Sequence, residues 1–203
     1  MSISSEFILT NKEIDMLHEL YVKNYEFSEH GQDLLYTLFT KKAKFNRELL
    51  TEKNKRFLFD NILCSNTKVN HSQMTSKAFH CFVFLFLSTN SSEGVLVYNK
   101  TTMNTLFLPQ SEFDNGNEKI LSVKNNIGKV ITEVHSFAIL GLETVWRILC
   151  STQYEDLLDQ GRIFLISIYL KLNVPHFNDQ LIFETFFEKI FLMMSLEGNS
   201  KSN

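Results

Sequence analysis

The sequence predicts an all-α fold, a stack of helical repeats with a short extended or hairpin insertion. Three observations predict it. Seven glycines and two prolines make up about 4% of the 203 residues, against about 12% in average proteins. Such a shortage of turn formers argues against sandwiches, barrels and glycine-rich phosphate loops. Apolar residues recur three and four apart along most of the chain, the period of a helix with a buried face. The chain is 44% hydrophobic and 21% charged and holds 19 phenylalanines, so it has the material for a core. Its length suits one helical-repeat domain over residues 1–203, with polar tails at 1–10 and 197–203.

Thr10 and Glu13 form a capping box at the start of a first helix. Ile14, Leu17, Leu20 and Tyr21 follow at helical spacing. Ser28 caps a second helix, carried by Leu34, Leu35, Leu38 and Phe39. Thr51 and Glu52 open a third, with Phe57, Leu58, Ile62 and Leu63 on one side. Residues 72–87 form a stronger segment in which Phe79, Phe82, Val83 and Phe86 make a helical stripe. Phe84 and Leu87 lie off it, so the helix is buried on more than one side. A strand over 81–87 is the competing reading, because Phe and Val also suit strands; the length of the pattern favours the helix.

Residues 88–93 read as a loop. Residues 94–98 and 103–108 read as two short extended pieces, a small hairpin. The polar stretch 109–129 reads as a mobile surface insertion. Thr132 then caps a helix with Val134, Phe137, Ala138, Gly141, Val145 and Ile148 on one face. Ile139, Leu142, Trp146 and Leu149 line a second face. Residues 154–172 repeat the pattern, with Gly161 at a close helix crossing that offsets its cost of about 1 kcal/mol. Pro175 stops that helix. Asn178 caps the last one, residues 179–196, which carries Phe183, Phe186, Phe187, Ile190, Phe191 and Met194. Leu181, Ile182, Leu192 and Met193 lie around its other side. Repeat stacks end in a helix with a polar outer face, so this helix either lies across the stack or belongs to a longer chain.

Part of the chain resembles a known family. Leu140-Gly141-Leu142-Glu143-Thr144-Val145-Trp146-Arg147-Ile148 resembles a recurrent helix of the large fat-facets-type ubiquitin-specific proteases. The second helix of that element is matched by residues 163–172, which include Ile163, Ile168, Tyr169 and Leu172. Residues 183–190 take the place of the next. Upstream, Lys77-Ala78-Phe79-His80-Cys81-Phe82 and residues 90–97 resemble further elements. The resemblance covers about residues 72–195, and the connection over 104–132 is longer than the family's. It implies an armadillo-like, noncatalytic helical region that flanks a separate papain-like catalytic domain.

A protease of this type needs a cysteine nucleophile, a histidine base and an orienting partner. None of Cys64, Cys81 and Cys150 stands in the family's cysteine motif, and its histidine motif is absent too. Cys150 and His135 read as fifteen residues apart on one helix, about 22 Å along its axis, too far to meet. His80 and Cys81 are adjacent, and the chain has no His-x3-His or Cys-x2-Cys pair for a metal. No catalytic residue, cofactor or metal ligand is expected. Glu143 and Arg147 are spaced to pair on a helix surface, and Trp146 reads as a core anchor.

Net charge is -3. The basic run Lys41, Lys42, Lys44, Arg47, Lys53, Lys55, Arg56 is interrupted by Glu48 and Glu52 and reads as a solvated face or linker, so no nucleic-acid partner is expected. The longest apolar run, 82–87, is too short for a membrane span. Three cysteines without a CxxC motif, and no evident signal peptide, fit an intracellular, cytoplasmic chain. The expected function is that of a noncatalytic scaffold or protein-binding segment related to a large deubiquitinase. Its partners would be substrates, adaptors or the rest of a longer chain. The candidate binding surface is Phe183, Phe187, Phe191 and Met194. The alternative is a free-standing helical adaptor unrelated to ubiquitin.

Overall fold

Side-chain caps at Thr10, Thr51 and Asn178 set where three of the helices begin. The computed structural model describes residues 8–22, 28–40, 50–107, 126–175 and 178–200 and is mostly helical, with a small two-stranded sheet. It divides into two units, residues 1–86 and 87–203.

In the first unit, α1 (Asn11–Val22) starts at the Thr10 box: the Thr10 amide donates to the Glu13 carboxylate at 2.7 Å, and the Glu13 amide donates back to Thr10 Oγ1 at 3.3 Å. The Thr10 amide, and the Thr10 hydroxyl that also donates to this carboxylate at 2.8 Å, hold the Glu13 carboxyl below its usual pKa. Ile14 is buried but Leu20 is exposed; His18 takes the buried place on that face. Leu9, inside the stretch read as a polar tail, is buried as well. α1 packs on α2 (Ser28–Thr40), where Leu35, Tyr36 and Phe39 point inward while Leu34 and Leu38 face out. The helices approach so closely at Gly31 that any side chain there would strike the Tyr21 carbonyl.

α3 (Glu52–Phe57) is capped as expected by Thr51, reciprocally with Asn54. It winds on into a π-helical turn, Leu58–Leu63, whose Leu58, Phe59, Ile62 and Leu63 are fully buried. Phe59 packs its ring on Phe82 and Phe86, with centroids 5.6 and 6.4 Å apart. Both belong to α4 (Ser76–Ser92), and Phe79 stacks on Phe82 in the same cluster. Burial on almost every side makes this segment a helix rather than the competing strand. Lys68 ties down α1 through Asp15 and Glu19, at 2.7 and 3.3 Å.

Several expectations are corrected in the rest of the chain. Residues 88–92 are not a loop but the last turns of α4, and the chain reverses at Gly94, φ 70°. Residues 94–98 contain strand β1 (Leu96–Tyr98), but 103–107 are helical, within α5 (Lys100–Phe107). The partner of β1 is β2 (Ile131–Val134), antiparallel, pairing Leu96 with Val134, Val97 with Glu133 and Tyr98 with Ile131. A helix capped by Thr132 is therefore not formed. Val130, Ile131 and Val134 are buried in the strand stretch, where β-branched residues fit best. The helix starts ten residues later, as α6 (Leu142–Ser151), because Gly141 at φ 79° takes the left-handed turn before it.

α7 (Glu155–Leu170) buries Leu157, Gly161, Phe164, Leu165 and Ile168. It ends five residues before Pro175. There the chain pairs with β2 instead: the Val134 amide donates to the Lys171 carbonyl and the Asn173 amide to the Val134 carbonyl, both at 2.8 Å. Asn178 caps α8 (Asp179–Ser200) through the Leu181 amide at 2.9 Å. Residues 197–200, read as polar tail, continue this helix. Most of the 109–129 insertion and the 41–49 part of the basic run lie outside the described residues; Ile127, near the insertion's end, is buried.

Candidate protein-binding surface

An aromatic cluster fixes α8 by one face. Trp146 of α6 packs on Phe186 of α8 with centroids 5.5 Å apart, and Phe186 meets Tyr169 of α7 edge-on at 4.8 Å. Trp146 and Tyr169 touch in turn at 6.5 Å. Trp146 is buried, so its reading as a core anchor holds. Burial raises the Tyr169 pKa; the Trp146 indole opposes that and the Glu143 carboxylate adds to it. Lys189, one turn beyond Phe186, forms an ion pair with Glu143. Glu143 thus turns to α8 rather than to Arg147, because the facing helix brings a cation within its reach.

With Phe186 and Lys189 turned inward, the opposite face of α8 is left to solvent. Phe183 is 57% exposed, Phe187 53% and Phe191 66%. These three sequence-predicted residues share one side of the helix, while the Met194 side chain lies outside the described ones. Phe183 also borders an apolar groove of about 510 Å³ between Ile166, Tyr169 and Leu170 of α7 and Ile182 and Phe186 of α8. The volume is in the range of ligand and side-chain pockets. The α7 wall of the groove was not anticipated. Ile166 and Leu170 stand four apart and outside the buried stripe of α7, which is the signal that marks them.

All three cysteines are free thiols. Cys81 is buried and burial pushes its thiol well up; Cys64 and Cys150 are half-buried. His135 follows β2 and is not on a helix with Cys150, contrary to the spacing argument. Among the described residues, no group of three or more His, Cys, Asp or Glu is placed to hold a metal ion. No described helix is long and apolar enough to cross a membrane.

Comparison of the chain with protein-family models, with curated proteins and with solved structures finds no match.

Proposed function

We propose that this chain is a noncatalytic helical-repeat scaffold that binds proteins through the outer face of α8, and that it is related to the armadillo-like region of the large ubiquitin-specific proteases. The observation that carries the binding part is the exposed row Phe183, Phe187 and Phe191 beside an apolar groove. Rows of exposed aromatic rings next to a groove mark interaction surfaces. The relationship is supported by the residues of the resemblance: Trp146 and Tyr169, from its two helices, meet in one cluster. In the intact family, ubiquitin removal is the work of a separate catalytic domain, and this chain would position substrates or adaptors for it.

The test compares the wild-type chain with the Phe183→Ser/Phe187→Ser variant as baits. The expected result is a set of proteins retained by the wild type and lost with the variant, containing a ubiquitin-specific protease or its substrates. Identical sets overturn the binding reading. Incubation with a ubiquitin-based cysteine probe should leave the chain unlabelled; labelling at any of Cys64, Cys81 or Cys150 overturns the noncatalytic reading.

A further inference from the structure

We infer that the partner of this face is a basic amphipathic helix, which seats apolar side chains on Phe183 and Phe187 and lays lysines or arginines beside Glu184 and Glu188. The inference rests on the protein-binding reading above and gives that partner a chemistry.

Charge complementarity on α8 carries it. Glu184 and Glu188 each follow a phenylalanine by one residue, so a carboxylate row runs beside the aromatic row, on its side away from the groove. Both glutamates are exposed. The one cation on this helix, Lys189, is turned away and paired with Glu143. On α7 the charges nearest the groove are Arg162, one turn before Ile166, and Lys171, between Leu170 and Leu172, while Glu155 and Asp159 lie two to three turns from Ile166 toward the helix's start. The face is thus apolar in its middle and acidic along its α8 border, beside Phe183 and Phe187. A helix laid on the aromatic row meets that pattern with apolar residues at i, i+3, i+4 and i+7 and positive charge on the flank that faces Glu184 and Glu188.

The same charges disfavour other occupants. An anionic membrane or a nucleic acid would meet carboxylates beside the phenylalanines. A second copy of the chain would bring Glu184 and Glu188 against their own kind.

The experiment uses the full chain and two synthetic helical peptides of about 18 residues. Both carry leucine at i, i+3, i+4 and i+7; one has lysine at the flanking positions, the other glutamate. Binding is followed by calorimetry and by the emission of Trp146, the only tryptophan, whose ring touches Phe186 on the groove wall. The lysine peptide should bind about tenfold tighter than the glutamate peptide at low salt, with the gap narrowing as salt is added. Glu184→Lys/Glu188→Lys should invert the preference, and Phe183→Ser/Phe187→Ser should weaken both peptides. Equal binding of the two peptides, lost in the phenylalanine variant, overturns the charge selection and leaves the protein-binding reading standing. Binding of neither overturns the inference, and the protein-binding reading falls with it only if the bait comparison also shows no difference. Self-association abolished by Phe187→Ser overturns it in favour of a second copy.

Discussion

Asn90 clamps both sides of Leu140: its side-chain amide donates to the Leu140 carbonyl at 2.9 Å, and its side-chain oxygen accepts from the Leu140 amide at 2.8 Å. Asn90 is fully buried, near the end of α4. The residue it holds stands directly before the left-handed turn at Gly141. One side chain thus fixes the approach to α6 from 50 positions away.

Removing it should be costly. Asn90→Leu deletes two hydrogen bonds and leaves the Leu140 peptide short of partners, so a loss of about 2–4 kcal/mol is expected. Denaturant unfolding measures it. A loss below about 1 kcal/mol would show that water or a shifted loop replaces the clamp.

Gly141 sits at φ 79°. Gly141→Ala should destabilise by about 1–2 kcal/mol, since a Cβ is disfavoured in that region. Circular dichroism should show the overall helix content unchanged at low temperature and a lower midpoint on heating. An unchanged midpoint would mean that the turn relaxes to negative φ at no cost.

Phe186 and Phe187 are neighbours with opposite environments. Phe187→Ser should change stability by less than about 0.5 kcal/mol, as for other exposed sites. Phe186→Ala should cost about 1–3 kcal/mol, because it strips a ring from Trp146 and Tyr169. It should also shift Trp146 emission to the red. Equal effects of the two substitutions would refute the assignment of the inner and outer faces of α8.

Alkali should unfold the first unit. Burial raises the pKa of both the Cys81 thiol and the Tyr36 hydroxyl in the folded chain. Each stays protonated when folded and ionises when unfolded, so stability falls as pH rises above the unfolded value. The fall begins near the ordinary thiol pKa of about 8.5 and steepens past the tyrosine value of about 10, each group adding about 1.4 kcal/mol per pH unit. Stability measured from pH 7 to 11 in Cys81→Ala should lack the first of these slopes. If both proteins trace parallel curves, Cys81 is not the group responsible.

The elements legible from sequence are those fixed by near neighbours. The box at Thr10, the helix start at Thr51 and the cap at Asn178 use partners three residues away, and all three are formed, although the reciprocal Asn54 of the Thr51 box was not read from sequence. The helix of Phe79, Phe82, Val83 and Phe86 was legible from its stripe. β2 was not, because its reason to exist is a partner more than thirty positions upstream, and the spacing of Val134, Ala138 and Gly141 imitates a helix. The end of α7 was misplaced for a related reason: Leu172 joins that same strand before Pro175 is reached. On α8, apolar residues surround most of the helix, so its period could not choose between Phe186 and Phe187. The choice is made by Trp146 and Glu143 on α6. Phe183, Phe187 and Phe191 were named, whereas the groove needed Ile166 and Leu170, which only the packing of α7 against α8 brings to them.

The pairing of β1 with β2 joins residues 96–98 to 131–134, closing a long stretch of chain at its two ends. The entropy of such a closure grows only with the logarithm of the enclosed length, about 0.6 kcal/mol for each doubling. The strand register, the Leu172 bridge and the α6–α8 cluster all lie outside the enclosed stretch. Added length between 99 and 130 is therefore cheap in closure entropy, so long as Met103, Ile127 and Val130 keep their buried places. Homologues that keep the aromatic cluster should differ most in length here.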